Sequence, residues 1–402
     1  MDRALVVTPR FPWPLDDGGK IALWQTVWSA AQEFRTTLIS LVSPGEETAP
    51  IPPLFQALGL EVLRIPHRPP ALPVAAWRGV FGRWPYTLAR YDSPAMRAAI
   101  RETCERGGYA FAILNNLHMG IHYDALGSVP MILREQNVEY RWMDRLATDL
   151  GWSPKGAYAR VQAGRLRRAE ADLCARAALV LAIQDEEAGL LRRLAPAASV
   201  ETLPLGLDLD RYAPPQPADP PVILLVGALA WPPNATGAIR FLEEGWPVVQ
   251  SAHGSARLRI VGRGAPPALE RLATVAPGVE LVGYVESIEA EFAQASVVVV
   301  PLWVGAGARV KIAESLAYRV PVAATRLAAE GLGLTPGQDY LEGETAKDLA
   351  ARIIELLADP ALRRALAERG RAHVAREFSL AAVARRQNEL CREAARQPAP
   401  TS

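Results

Sequence analysis

The sequence predicts an α/β protein of two doubly wound, Rossmann-like domains facing each other across a cleft. Three observations predict it. The chain has 402 residues, half of them hydrophobic, enough for two or three cores at roughly 150 residues each. Short apolar runs alternate with helical stretches in both halves, as parallel sheets covered by helices require. Between the halves, Leu203 to Pro221 is dense in proline and reads as a linker.

The first half begins with a short buried strand, Leu5 to Thr8, followed by a loop rich in Pro, Asp and Gly up to Lys20. Ile21 to Glu33 reads as a helix with Ile21, Trp24 and Trp28 on one face. Strands follow at Thr37 to Val42, Glu61 to Ile65, Phe111 to Leu114 and Met131 to Leu133, then a long helix from Tyr158 to Arg176 and a strand at Leu179 to Ile183. After the proline-dense stretch a new alternation starts with Ile223 to Val226. A helix follows at Ala235 to Glu243, with Asn234 as its expected N-cap. Leu258 to Val261, Glu280 to Val282 and Val320 to Ala324 are further strands, and Glu289 to Ala295 a further helix. The chain closes with helices, the last amphipathic over about Leu380 to Arg396. The expected division is a first domain over 1–205, a linker over 206–221, a second domain over 222–378, and a helix over 379–396 that packs back on the first domain.

Net charge is +1, which excludes a general polyanion binder, and no basic tail or zinc finger is present. No nucleic-acid partner is expected. The three cysteines, Cys104, Cys174 and Cys391, stand far apart and in no metal spacing, which suits a reducing cytoplasm. No stretch has a signal-peptide pattern or the ~20 apolar residues of a spanning helix. A cytoplasmic location is expected, with membrane association left open.

Residues 297–318 carry most of the chemistry. A buried strand, Val297 to Val300, runs into a turn with Gly305 and Gly307, and the helix that follows has Arg309 and Lys311 in its first turn. Free amides and the helix dipole already attract anions there. Two added cations make the position suited to a phosphate or diphosphate. Lys311, Glu314, Ser315 and Tyr318 share one face at i, i+3, i+4 and i+7, while Val310, Ala313 and Ala317 are expected to pack on a sheet. The plain alternative is a solvated helix start with Glu314 pairing Lys311.

With these residues in view, the chain resembles glycosyltransferase family 4, of the two-domain GT-B fold, over nearly its whole length. The resemblance rests on the order of several segments. They are Pro12 to Lys20 (PWPLDDGGK), Leu133 to Tyr140 (LREQNVEY), Leu203 to Asp208, Leu225 to Asn234, Gly283 to Val285, and the Gly-x-Arg-x-Lys-x-x-Glu spacing of 307–314. Ala317 to Val322 and Glu330 to Leu332 make it most similar to sugar transferases of exopolysaccharide assembly.

That resemblance implies a retaining enzyme that moves a sugar from a nucleotide-diphosphate donor to a saccharide or lipid-linked acceptor, with no metal and no cofactor. It implies Arg309 and Lys311 on the diphosphate, stabilising the leaving group, and Glu314 on the ribose. Tyr284 and Val285 would line the base pocket. Gly305, Ala306, Gly307 and Ala308 would line the donor sugar and phosphates. Gly18 and Gly19 would let the first domain's backbone approach the diphosphate. His118 would contact the donor sugar or help at the reacting centre. The chain departs from the family pattern at Ala306, where a first glutamate is expected, at Gln136, where the family has His, and at Ala228 and Asn234, where many relatives carry Arg and Lys. A nucleotide-sugar epimerase or a non-catalytic nucleotide-sugar binder on the same fold are the other readings.

Some further residues admit two readings. Asp16 and Asp17 suit a helix entry better than a metal pair, and Asp208 and Asp210 form an Asp-x-Asp in the linker. His118 and His122 have zinc-pair spacing without a third ligand. Gly262-Arg263-Gly264 reads as a tight turn or a phosphate contact. Residues 77–101 mix Trp77, Phe81, Trp84, Tyr86 and Tyr91 with five arginines opposed by Asp92. They suit either an anionic membrane surface or a helix pair with its aromatic rings turned inward.

Overall fold

The computed structural model describes residues 2–15, 17–304 and 309–396, apart from the side chains of Leu72, Pro73, Asp149 and Arg309. The chain forms two compact units, one of Met1–Gly206 with Val383–Ser402 and one of Leu207–Ala382.

The first unit is built on a seven-stranded sheet of order β3-β2-β1-β4-β5-β6-β7. Its strands are β1 Arg3–Thr8, β2 Arg35–Val42, β3 Glu61–Pro66, β4 Tyr109–Asn115, β5 Met131–Arg134, β6 Leu179–Ala182 and β7 Val200–Thr202. Every pairing is parallel, with Val6 opposite Leu38 on one side and Ile113 on the other. Leu5, Val6 and Val7 are all fully buried, because helices cover both faces of a parallel sheet and leave no solvent side for polar residues. On one face Trp24, Val27 and Phe34 form a core with Val383, Leu390 and Cys391 of the last helix, Leu380–Ala395. Gln387 and Asn388 of that helix donate to the carbonyls of Thr26 and Ser29. From β1 the chain winds outward through β2 and β3, then returns to β4 on the other side. This puts a switch point, where doubly wound sheets bind ligands, at the carboxyl ends of β1 and β4.

The second unit has a six-stranded sheet of order β10-β9-β8-β11-β12-β13, again all parallel. Its strands are β8 Val222–Val226, β9 Arg257–Val261, β10 Val279–Gly283, β11 Ala295–Val300, β12 Val322–Ala324 and β13 Leu341–Glu342. Phe241, Trp246, Leu349 and Ile353 cover one face, and Ile312, Leu316, Ala317 and Val374 the other. Its switch point lies between β8 and β11.

Several local expectations are corrected. The helix expected from Ala235 starts at Pro232, with Trp231 as N-cap and Asn234 inside its first turn. Proline at the first helical position fixes φ and needs no amide partner, so it wins over the better capping residue. That helix passes through a π-helical turn at Phe241–Gly245 into Trp246–Ala252. Val310 is 55% exposed instead of packed on the sheet. The buried face of Arg309–Ala317 is Ile312, Ala313, Leu316 and Ala317, and Val310 stands roughly 200° from Ile312 around the axis. The proline-dense stretch runs along the second unit, held by the amides between its prolines: Gln216 N donates to Ala293 O at 2.7 Å and Ala218 N to Gln294 O at 3.0 Å. The strands β7 and β13, three and two residues long, are too short to leave an apolar run in the sequence.

Candidate functional site

In the second unit, three loops meet at the carboxyl ends of β8, β9 and β10, where Ala230 N donates to Arg263 O and Gly262 N to Gly283 O. The helix Arg309–Ala317 follows β11 and sends Lys311 back over the end of β8, where its Nζ donates to Asn234 Oδ1 at 2.7 Å. Asn234 Nδ2 donates to Ala228 O at 2.9 Å, which fixes the amide with its oxygen toward the ammonium. Gly227 makes this reach possible, since a Cβ there would lie 2.5 Å from Lys311 Nζ. Burial lowers the Lys311 pKa from 10.5 to about 8. A cation whose described partner is a neutral amide is thus held in low dielectric at the switch point, short of the anion that would offset its desolvation.

One turn further on, burial pushes the Glu314 carboxyl above its usual range. No cation pairs with it among the described residues, and its field, after burial itself, helps raise the phenols of Tyr212 and Tyr318. Tyr318 stacks on Phe292 at 4.5 Å and meets Tyr212 edge-on at 4.7 Å. Ser315 is buried and donates to Lys311 O at 2.6 Å, so it braces the helix and does not face the loops.

The Gly262-Arg263-Gly264 turn is a structural device. A Cβ on Gly262 would sit 1.7 Å from Gly227 O, and Gly264 has φ 75° against Ala230. Its Arg263 guanidinium lies 3.6 Å from the centre of the Tyr284 ring. Tyr284 is 58% exposed beyond β10, and Val285 packs into the core beneath it. Tyr284 therefore stands about two strand spacings, roughly 10 Å, from the end of β8. Gly305, Ala306, Gly307 and Ala308 lie outside the described residues, as does the side chain of Arg309, whose backbone opens the helix.

In the first unit, Gly18 and Gly19 open the helix Gly18–Ala31 behind the N-cap Asp17. The Asp17 carboxylate accepts from Lys20 N at 2.8 Å and holds Arg10 at 3.0 and 2.6 Å. The backbone bond from Lys20, then Arg10, keeps its pKa low. This helix end already carries an anion of its own. Asp16 lies outside the described residues. His118 sits in the turn Leu117–Gly120 with its ring 4.6 Å from that of Tyr91. Burial, then the charge of Arg90, lowers its pKa to about 4, so it is a neutral imidazole at neutral pH. His122 is a core residue: its Nδ1 meets Met119 O, and its Nε2 accepts from Ser93 N. Among the described residues no group of three metal-ligating side chains occurs.

Two features of this unit had no sequence signal. A cavity of about 750 Å³ opens at the ends of β1 and β2, with Phe11, Trp13, Arg64 and Tyr91 in its wall. Arg64 lies on the Phe11 ring at 4.1 Å and donates to the carbonyls of Glu46, Ala49 and Pro50. The wall is drawn from residues 9 to 91, too spread for any motif. The second feature is a row of buried polar atoms short of hydrogen-bond partners at the ends of β1, β4 and β5: Thr8 Oγ1, Asn115 Oδ1 and Nδ2, Asn116 Oδ1, Gln136 Nε2 and the Glu135 carboxyl, which the Leu117 amide approaches. Buried polar groups are normally satisfied, so such a row marks a place for water or a ligand. Burial, then Glu170, pushes the Glu135 carboxyl well above its usual range.

Comparison with known proteins bears on this arrangement. Residues 220–359 match the model of the family described as glycosyl transferases group 1. That stretch holds β8 to β13, Gly227, Asn234, Lys311 and Glu314. No curated protein matches the chain by sequence. Solved structures of the same fold cover nearly all of it. A sucrose-phosphate synthase from Thermosynechococcus elongatus is 19% identical at TM-score 0.61, covering 98% of this chain and 99% of its own. Anabaena Alr3699/HepE in complex with UDP is 15% identical at TM-score 0.60, covering 97% and 99%. A UDP-forming trehalose-phosphate synthase from Burkholderia vietnamiensis is 13% identical at TM-score 0.58, covering 98% of each. At these identities the likeness is one of fold.

Proposed function

We propose that the chain is a retaining glycosyltransferase of family 4 type, which moves a sugar from a nucleoside diphosphate to a hydroxyl of a saccharide or lipid-linked acceptor. The observation that carries the reading is the buried Lys311 ammonium, held by Asn234 at the β8/β11 switch point, within the stretch that matches group 1 glycosyl transferases.

In this reading Lys311 and Arg309 hold the diphosphate, Glu314 accepts from the ribose hydroxyls, and the base lies toward Tyr284 and Val285. The C1–oxygen bond to the diphosphate breaks while the acceptor oxygen bonds C1 on the same face. The acceptor proton leaves with the nucleoside diphosphate. Lys311 stabilises the charge that develops on the leaving oxygen, and does so more strongly for being desolvated. No protein acid is needed at that oxygen, which agrees with a His118 that is neutral at neutral pH. The aromatic cavity and the under-partnered Asn115 and Glu135 of the first unit supply an apolar wall and polar groups for the acceptor. A role in exopolysaccharide assembly rests on the sequence resemblance. Uridine is the first base to try, because a protein of this fold is solved with UDP.

Calorimetric titration with UDP, GDP, ADP and TDP tests the donor site. One of them should bind with a Kd in the micromolar range. Absence of binding by all four at millimolar concentration would refute the reading.

A further inference from the structure

We propose that one face of the first unit, formed by the helices Leu72–Phe81 and Pro154–Arg176 with the loop before the second, rests on an anionic lipid bilayer. Val74, Trp77 and Phe81 recur at i, i+3 and i+7 on the shorter helix and are 46%, 64% and 72% exposed. They cannot turn inward, because the opposite side of that helix is pinned. Ala75 is buried, and Gly79 packs so closely that a Cβ would lie 2.8 Å from Tyr86 and 2.9 Å from the Tyr158 hydroxyl. Tyr158 donates to Ala76 O and Gln162 to Gly79 O, both from the longer helix. Of the aromatic residues in 77–101, Trp84 is thus an inward residue, while Trp77 and Phe81 face out.

The longer helix continues the surface. Its outward stripe is Ala157, Val161, Gly164 and Arg168, all exposed. On the far side of that stripe, Trp152 is 97% exposed with the Arg160 guanidinium 4.6 Å from its ring centre. Exposed tryptophan and phenylalanine next to arginine is the composition of an interfacial surface, with rings at headgroup depth and cations at the phosphates.

Charge selects the occupant. Residues 62–91 contain five arginines and no Asp or Glu, and residues 150–169 contain four arginines, one lysine and no Asp or Glu. Among the described residues none of these ten cations is in an ion pair. Ion pairs that flank these segments involve Glu61, Asp92 and Asp172, outside both. A second copy docking through this face would set Arg78, Lys155, Arg160 and Arg168 against their own like charges. A nucleic acid would answer the charge but leave Val74, Trp77 and Phe81 in water. Anionic lipid answers both.

The test is flotation of the full chain with phosphatidylcholine vesicles, with and without phosphatidylglycerol. The expected result is binding to the anionic vesicles at low salt, release at high salt, and no binding to phosphatidylcholine alone. Trp77→Ser with Phe81→Ser, and separately Arg78→Glu with Lys155→Glu and Arg168→Glu, should each lower partitioning about tenfold or more with an unchanged melting temperature. Four results would overturn the proposal: no binding to anionic vesicles, equal binding to neutral ones, partitioning unaffected by either variant, or a dimer in sedimentation that the Trp77/Phe81 variant dissolves.

Discussion

Replacing Lys311 by methionine should make the second unit more stable and less able to hold a nucleotide. The displacement of the Lys311 pKa from 10.5 to about 8 corresponds to a penalty of about 3 kcal/mol for keeping the ammonium charged in the fold. Its sign follows from the direction. A cation with a lowered folded pKa costs stability at every pH below about 8, and the cost fades as pH rises toward 10.5. Methionine has nearly the same shape and no charge. It also loses the bond to Asn234, a term of about 1 kcal/mol in the other direction. The net gain at neutral pH is about 2 kcal/mol, or roughly 4–8 °C for a unit of this size. The same change removes a charge-assisted contact to the diphosphate, raising its Kd about 30-fold. Scanning calorimetry across the pH range from 8 to 10.5 and titration with UDP read both effects. The difference in melting temperature between the two proteins should shrink as pH rises. A Lys311→Met protein that is no more stable at neutral pH and binds UDP unchanged would refute the reasoning.

Other consequences can be measured in the same way. Glu314→Gln should weaken UDP about five- to tenfold and leave pyrophosphate binding unchanged. Equal losses for the two ligands would move Glu314 from the ribose to the phosphates. Gly262→Ala drives a Cβ to within 1.7 Å of Gly227 O and should cost more than about 3 kcal/mol, visible as a fall of many degrees in the second unit's transition. A melting temperature that does not move would mean that the loop relaxes around the methyl group. In the first unit, burial raises Glu139 and Glu187 to about 7 and Glu170 to about 8. These groups hold protons in the fold that the unfolded chain has released. Below about 6.5 the lowered pKa values of His118 and His122 act in the opposite direction, so the unit should lose stability most clearly as pH climbs from about 6.5 to about 8, and a flat melting temperature over that window would count against buried carboxyls.

What the sequence made legible follows from how local each signal is. Parallel strands buried on both faces read as unbroken runs such as Val297 to Val300, so most strands of both sheets can be placed without a structure. The strands β7 and β13 are too short to have such a run. The face shared by Lys311 and Glu314 follows from helical spacing alone. The partner of Lys311 does not, because Asn234 lies 77 residues away and reads locally as a cap. Gly227 is one glycine after a strand, and only the path of the Lys311 side chain shows why it has no Cβ. Trp77 and Phe81 share one face of the Leu72–Phe81 helix, and spacing alone leaves open whether that face turns inward until Gly79 is seen against Tyr86 and Tyr158.

On the proposed function, the two switch points would divide the substrates between them. At the second unit's, the buried group is a cation, and a diphosphate would repay the desolvation of Lys311. At the first unit's, the buried groups short of partners are amides, a hydroxyl and the Glu135 carboxyl, whose pKa burial raises, while the buried cation beside them, Arg134, is taken up by the carbonyls of Leu181 and Ala182. An oxyanion placed there would find donors in Asn115 Nδ2 and Gln136 Nε2 but would also meet the oxygens of Asn115, Asn116 and Glu135, and Asp17 already fills the nearby helix end. A neutral polyol meets the same atoms as matched donors and acceptors, because each hydroxyl both gives and accepts a bond. Asn115→Leu should therefore leave UDP affinity intact and raise the KM of the acceptor, measured once a donor is in hand. A loss of UDP affinity equal to that of Lys311→Met would show that the division of labour is wrong.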